Sequence, residues 1–140
     1  MDKNRVLGHI LMVKEKRILL IDDDAHIREM YCKALTRQGY IVSLAINGKE
    51  ALEILNKLKP NLIISDYNMP VMDGFSFLKE LRAFDPETPV IILTGASGES
   101  VENEARKLGA NSFLNKGMGI GSFIQEVFKF TAQKQTIVNQ

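Results

Sequence analysis

Residues 62–74 read Leu-Ile-Ile-Ser-Asp-Tyr-Asn-Met-Pro-Val-Met-Asp-Gly. Leu62–Ser65 is a short, mostly apolar run that stops at a carboxylate, Asp66. A run of this length with apolar side chains at successive positions suits a strand buried on both faces, as in a parallel sheet. Tyr67–Gly74 holds Pro70 and Gly74 and has to be a loop. The stretch therefore predicts a buried strand that delivers an aspartate to a loop.

The same grammar repeats on either side. Upstream, Arg17–Ile21 is an apolar run that ends at Asp22-Asp23-Asp24. Ile27, Met30, Tyr31, Ala34 and Leu35 then recur at helical spacing, with Gly39 as the stop. Ile41–Ala45 reads as a second strand. Asn47 with Glu50 is a variant of the capping box, Ala51, Leu52, Leu55 and Leu58 form a helix face, and Pro60 closes it. Downstream, Phe77, Leu78, Leu81 and Phe84 make a third helix that ends at Asp85-Pro86. Val90–Leu93 is a fourth strand stopping at Thr94-Gly95. Val101, Ala105 and Leu108 mark a short polar helix ending at Gly109, with Ser97 and Ser100 as its expected caps. Ser112–Leu114 is a brief fifth strand before Asn115-Lys116-Gly117. Ile120, Phe123, Ile124, Val127 and Phe128 make a strong fifth helix face.

Five strands alternating with five helices predict a single doubly wound α/β domain, (βα)5, around a parallel sheet. Right-handed crossovers place helices on both faces. Ligands in such sheets bind outside the carboxyl ends of the strands.

Composition narrows the function classes. The chain has 140 residues, enough for one domain of the usual ~100–200. It is 45% hydrophobic and 25% charged, an ordinary globular balance. One cysteine, Cys32, cannot form a disulfide framework within the chain and fits a reducing compartment. No apolar run approaches the ~18 residues that cross a bilayer. Net charge is +1, which argues against a strongly basic nucleic-acid domain. Residues 1–17 carry five basic and two acidic side chains, a net of +3, and the other residues carry 13 basic against 15 acidic, a net of −2. The globular part is therefore slightly acidic.

The basic extension contains the apolar stretch Val6 to Val13. It lacks a small-residue cleavage site, so a signal peptide is not expected. Met12 is a second candidate start, since Met-Val-Lys-Glu-Lys-Arg runs directly into the first strand.

The strand ends carry the chemistry. The first contributes Asp22, Asp23 and Asp24, the third Asp66, the fourth Thr94 and the fifth Lys116. Several carboxylates at one point repel unless a cation sits among them. Oxygen-only ligands suit a hard divalent ion such as Mg²⁺. A carboxylate, a divalent ion, a hydroxyl and an ammonium together fit phosphoryl chemistry, with Asp66 as nucleophile and Lys116 as point charge. Asp24 reads most simply as a helix N-cap, and Asp73-Gly74 as turn and cap chemistry. His9 and His26 lack a metal-ligand pattern.

Ile-Leu-Leu-Ile-Asp-Asp-Asp (18–24), Ile-Ile-Ser-Asp-Tyr-Asn-Met-Pro-Val-Met-Asp-Gly (63–74), Val-Ile-Ile-Leu-Thr-Gly (90–95) and Gly-Ala-Asn-Ser-Phe-Leu-Asn-Lys-Gly (109–117) resemble a response-regulator receiver domain, over residues 17–130. Residues 1–16 and 131–140 then flank the domain. The resemblance implies the flavodoxin-like strand order 2-1-3-4-5. It also implies Asp66 as acceptor of a phosphoryl group from a histidine kinase or phosphotransfer protein, with no turnover enzyme activity. Asp22, Asp23, Asp66 and the backbone carbonyl of Asn68 would hold Mg²⁺, Thr94 and Phe113 would act as switch residues, and Lys116 would pair with the phosphoryl group. A downstream protein target or a homodimer, a cytoplasmic setting, and no direct contact with nucleic acid or membrane are further implications. One departure is Gly117, where receivers usually carry proline after the lysine. Three glycines close together (117, 119 and 121) predict a mobile loop there. Ala96, two residues past Thr94, offers no side chain to assist dephosphorylation.

Two other classes compete. An aspartyl-phosphate hydrolase of the haloacid-dehalogenase type uses the same residue types, but its nucleophile follows the first strand and it usually needs a cap domain. A flavodoxin-like cofactor carrier would bind phosphate beside the first strand, where Asp22-Asp23-Asp24 would repel it.

Overall fold

The computed structural model describes residues 3, 4, 8, 15–95 and 98–132. Most of the Val6–Val13 stretch, with His9 and Met12, lies outside the described residues, as do Ala96, Ser97 and the chain after Ala132. Among the described residues the order is β1 (Arg17–Ile21), α1 (Ala25–Arg37), β2 (Ile41–Ala45), α2 (Gly48–Leu55), β3 (Leu62–Asp66), α3 (Gly74–Phe84), β4 (Val90–Thr94), α4 (Glu99–Lys107), β5 (Ser112–Asn115) and α5 (Ile120–Thr131). The five strands are parallel and lie in the order β2-β1-β3-β4-β5. This is the expected doubly wound sheet.

Alternate strand residues feed two cores, as a sheet covered on both faces requires. Leu19, Ile21, Ile63, Val90 and Ile92 pack with Phe77, Leu78 and Leu81 of α3, Ala51 of α2 and Ala105 of α4. Ile18, Leu20, Leu62, Ile64, Ile91 and Leu93 pack with Tyr31 and Leu35 of α1 and Phe123 and Val127 of α5. The Tyr31 and Phe123 rings meet at 4.4 Å across the second core. Tyr40 and Thr131 bond through their hydroxyls at 2.6 Å, so the last turn of α5 is anchored to the residue that precedes β2.

Helix starts follow the local chemistry. Asp24 caps α1 by accepting from the His26 and Ile27 N–H groups. Asn47 caps α2 through the Glu50 N–H, while the Glu50 carboxylate accepts from the Ile46 N–H, one residue before the cap. Asp73 caps α3 through the Ser76 N–H at 2.8 Å. The α4 start differs from expectation. Gly98 is its N-cap without a side-chain bond, and Ser100 lies inside the helix. Gly39 and Gly109 have φ of 101° and 105°, a left-handed backbone that glycine adopts without strain where helices stop.

Three residues that share the apolar helical spacing are exposed. Phe84, Met30 and Ile120 are 60%, 42% and 39% exposed. Each has helical spacing, but Phe84 and Ile120 stand at the last and first residues of their helices, where the sheet no longer lies beneath them. In α1, Tyr31 and Leu35 take the inward face that Met30 only flanks.

Candidate functional site

The site is built where β1, β3, β4 and β5 end. Asp22 follows the last residue of β1, Asp66 and Thr94 are the last residues of β3 and β4, and Lys116 follows β5. The ladder reaches this edge intact. Tyr67 N–H donates to the Leu93 carbonyl at 2.7 Å and Lys116 N–H to the Thr94 carbonyl at 2.8 Å. These bonds fix the relative height of Asp66, Thr94 and Lys116, and the pairing of Ile21 with Ser65 sets Asp22 level with Asp66.

Asp22 is fully buried. Its Oδ1 accepts from the Asp24 N–H at 2.9 Å, and its backbone carbonyl accepts from the Arg28 guanidinium at 2.8 Å. The start of α1 thus holds one carboxylate oxygen and, through Arg28, the backbone carbonyl of the same residue. Oδ2 lies 2.9 Å from Lys116 Nζ as an ion pair, yet it has no hydrogen-bond partner of proper geometry. Asp66 is 4% exposed, and its Oδ1 is 3.1 Å from the same ammonium. The Asn68 N–H donates to that oxygen at 3.4 Å, at the long end of a hydrogen bond. Asp23 is exposed. Oxygens of Asp22, Asp23 and Asp66 lie within 4.8 Å of one another.

Electrostatics follow from this crowding. Burial, then the Asp22 carboxylate, push the Asp66 carboxyl above its ordinary range, against the pull of Lys116. Burial alone would lower Lys116, but its contacts with Asp22 and Asp66 overcome that and raise it. The ammonium is therefore held charged between the two carboxylates. The donor set suits a hard cation: three oxygen ligands, with one buried oxygen lacking a hydrogen bond.

Thr94 is buried and stands opposite Asn115 across β4 and β5. Phe113 is half-buried against the α3 side of the core. The Lys116–Gly117 peptide is trans, in keeping with the cost of a cis bond without proline. The Gly117 N–H donates to Asn115 Oδ1 at 2.6 Å, and Met118 N–H to the Asn115 carbonyl at 3.1 Å. His26 is exposed on the first turn of α1 and joins no ligand cluster with Asp22, Asp23 and Asp66.

Two supporting residues were not legible in the sequence. Arg28 gave no signal, because a basic residue on an exposed helix turn is common. Gly74 was read as turn chemistry, but a Cβ there would lie 2.4 Å from the Asp66 carbonyl oxygen and 3.0 Å from Tyr67 Cα. The loop folds back so tightly that only glycine fits, and the Gly74 N–H reaches the Tyr67 carbonyl at 3.0 Å.

Fold and site together define a flavodoxin-like α/β protein with an acidic pocket at the carboxyl edge of its sheet. Residues 18–128 match the response regulator receiver domain, and the chain belongs to that family. It is 36% identical over 102 residues to the chemotaxis protein CheY of Thermotoga maritima, covering 72% of this chain and 85% of that one. The structure of the chemotaxis response regulator CheY4 of Vibrio cholerae superposes with a TM-score of 0.79 at 33% identity, over 84% of this chain and 99% of that one. A response regulator protein from Burkholderia pseudomallei, with a phosphorylated aspartic acid, calcium ion and citrate, is 29% identical with a TM-score of 0.73, over 79% of this chain and 65% of that one. The chain spans 28% of one curated regulatory protein it matches and 49% of another. The chain is thus a signalling receiver domain of the two-component response-regulator kind. No helix among the described residues is long and apolar enough to cross a membrane.

Proposed function

We propose that the chain receives a phosphoryl group on Asp66 from a histidine kinase or phosphotransfer protein and passes the change to a protein partner. The observation that carries this reading is the meeting of Asp22, Asp23, Asp66 and Lys116 at one edge of the sheet. A carboxylate oxygen of Asp66 attacks the phosphorus, the P–N bond to the donor imidazole breaks, and the imidazole leaves with the electron pair and takes up a proton. Asp22, Asp23, Asp66 and the Asn68 carbonyl would hold a Mg²⁺ ion, which would neutralise charge on the phosphoryl oxygens. Lys116 gives up its ion pair with Asp66 and pairs with a phosphoryl oxygen. The Thr94 hydroxyl donates to another, and Phe113 turns further inward as Thr94 moves, shifting a two-state equilibrium at α4, β5 and α5. Several proteins with which this chain compares bear names of regulators, and one of the solved structures holds a phosphorylated aspartic acid, a calcium ion and citrate. Residues 17–130 form the working unit, with Thr131 closing its last helix, and residues 1–16 and 131–140 flank it. We place it in the cytoplasm, with a protein target or a second copy as output and no direct contact with nucleic acid.

Incubation with acetyl phosphate tests this. A Mg²⁺-dependent, stoichiometric, acid-stable and base-labile adduct is expected, and Asp66→Asn abolishes it. Steady hydrolysis of phosphate monoesters without a stoichiometric adduct would support the aspartyl-phosphate hydrolase instead.

A further inference from the structure

The sheet has two outermost strands, and they are finished differently. β5 has four residues, of which only the polar Asn115 is exposed. β2 has five, and its Ile41 and Leu44 are each 41% exposed. Proteins ordinarily protect an outer strand by keeping it short or by placing lysine, proline or a bulge on it. Residues 40–46 read Tyr-Ile-Val-Ser-Leu-Ala-Ile, with no charge and no proline, and β2 keeps an unbroken register against β1.

The ladder tells which backbone groups of β2 are left over. Ile41 N–H donates to the Lys16 carbonyl at 3.0 Å, and Asp22 N–H donates to the Ala45 carbonyl at 3.1 Å. Ile41, Ser43 and Ala45 therefore turn their N–H and C=O groups toward β1, and Val42 and Leu44 turn theirs away from the sheet. The open row is closed off at both ends. Tyr40 N–H donates to the Leu35 carbonyl at 3.3 Å, and Ile46 N–H donates to Glu50 Oε1 at 3.3 Å. Among the described residues β2 pairs with β1 alone. Val42 and Leu44 thus present their N–H and C=O groups side by side, with Ser43 midway between them.

That spacing is self-complementary. With a second copy of the strand antiparallel and Ser43 facing Ser43, Val42 of each copy stands opposite Leu44 of the other. Each of these two pairs exchanges both backbone bonds, four bonds in all. Val42 and Leu44 share one face of the strand, so they also become apolar cross-strand neighbours. Ile41 falls opposite Ala45, and no residue of the strand brings a charge to repel its copy. The open row is two residues long, which this two-fold pairing fills and which gives a longer foreign strand no further bonds. We propose that the chain forms a two-fold dimer through β2, joining two sheets into one. The contact is small, so the dimer is weak and depends on concentration. It lies across the sheet from α4, β5 and α5, and it does not use the acidic pocket.

Cross-linking of the full chain tests the register. Ser43→Cys in a Cys32→Ser background places two thiols on the axis, in a facing pair with Cα atoms about 4.5 Å apart, within reach of a disulfide. Mild oxidation should give a covalent dimer. Ile41→Cys in the same background is equally an exposed thiol of β2 but stands far from its copy, and it should stay monomeric. Sedimentation equilibrium from micromolar to millimolar concentration should show the weak dimer in the unmodified chain. Leu44→Pro deletes an outward N–H in each copy and leaves the β1 ladder whole. It should weaken dimerisation by roughly tenfold, two of four bonds being lost. Unchanged amide signals of Ile64 and Leu78 report that this variant is folded, and Leu44→Lys is a second disruption that keeps the backbone donor. A chain that stays monomeric throughout, Ile41→Cys cross-linking as readily as Ser43→Cys, or dimerisation untouched by both Leu44 variants would each overturn the proposal. All measurements are made without phosphodonor, so none depends on phosphorylation of Asp66.

Discussion

The two edges of the sheet are built from the same polar atoms to opposite ends. At the amino edge each polar group named has a neutral or complementary partner. Arg82 donates to the Gly109 carbonyl at 2.8 and 3.1 Å, to the Asp85 carbonyl at 2.9 Å and to Asn111 Oδ1 at 3.1 Å. Asn111 Oδ1 also accepts from the Val90 N–H at 2.9 Å. At the carboxyl edge two buried carboxylates, Asp22 and Asp66, share one ammonium with a third, exposed carboxylate, Asp23, beside them, and a buried oxygen of Asp22 has that ion pair but no hydrogen bond of proper geometry. One edge is arranged for stability. The other gives up stability for a charged pocket, a trade expected of a binding site.

Four substitutions sharpen this contrast, in order of expected size. Lys116→Met leaves Asp22 and Asp66 uncompensated and should cost about 2–4 kcal/mol in metal-free buffer, by urea unfolding. Mg²⁺ should recover part of that loss. Arg82→Ala unties the opposite edge and should cost about 2 kcal/mol, with no response to Mg²⁺. If Mg²⁺ rescues both variants alike, the two edges do not differ as described. Gly74→Ala forces the backbone away from the Asp66 carbonyl and should cost about 1–3 kcal/mol while also slowing phosphoryl acceptance.

The fourth has the opposite sign. Asp66→Asn should stabilise the metal-free protein by about 0.5–2 kcal/mol at neutral pH. Burial and the Asp22 carboxylate raise the Asp66 carboxyl in the folded state. The native state then binds that proton more tightly than the unfolded state. The stability this gives is present below the ordinary aspartate value and is lost as pH rises through the raised one. The gap between variant and wild type should therefore open as pH rises through that window and close in acid. A gap of constant size from acid to neutral pH would contradict the assignment.

Much of this was legible in the sequence, and the misses have physical causes. β1 and β2 have the limits their apolar runs suggested. β3, β4 and β5 each run one residue further, to Asp66, Thr94 and Asn115. Hydropathy ended these strands before Asp66, Thr94 and Asn115, whereas the hydrogen-bond ladder continues through those polar residues. Of the polar residues that carry the chemistry, Asp66 and Thr94 are those extra positions, Lys116 follows the third, and Asp22 and Asp23 directly follow β1. Phe84 belongs to α3 as its spacing suggested, yet it is exposed, because helical spacing reports a face but not where the sheet beneath it ends. Arg28 and Gly74 were missed as supports for Asp22 and Asp66 because each acts on a backbone carbonyl, which leaves no pattern in the side chains.

The central claim is that Asp66, and no other carboxylate of the cluster, takes the phosphoryl group. Borohydride reduction of the phosphorylated chain, followed by peptide mass mapping, tests it directly. Homoserine at position 66, present with Mg²⁺ and phosphodonor and missing without them, is the expected result. Reduction at Asp22 or Asp23, or none anywhere, would contradict the account.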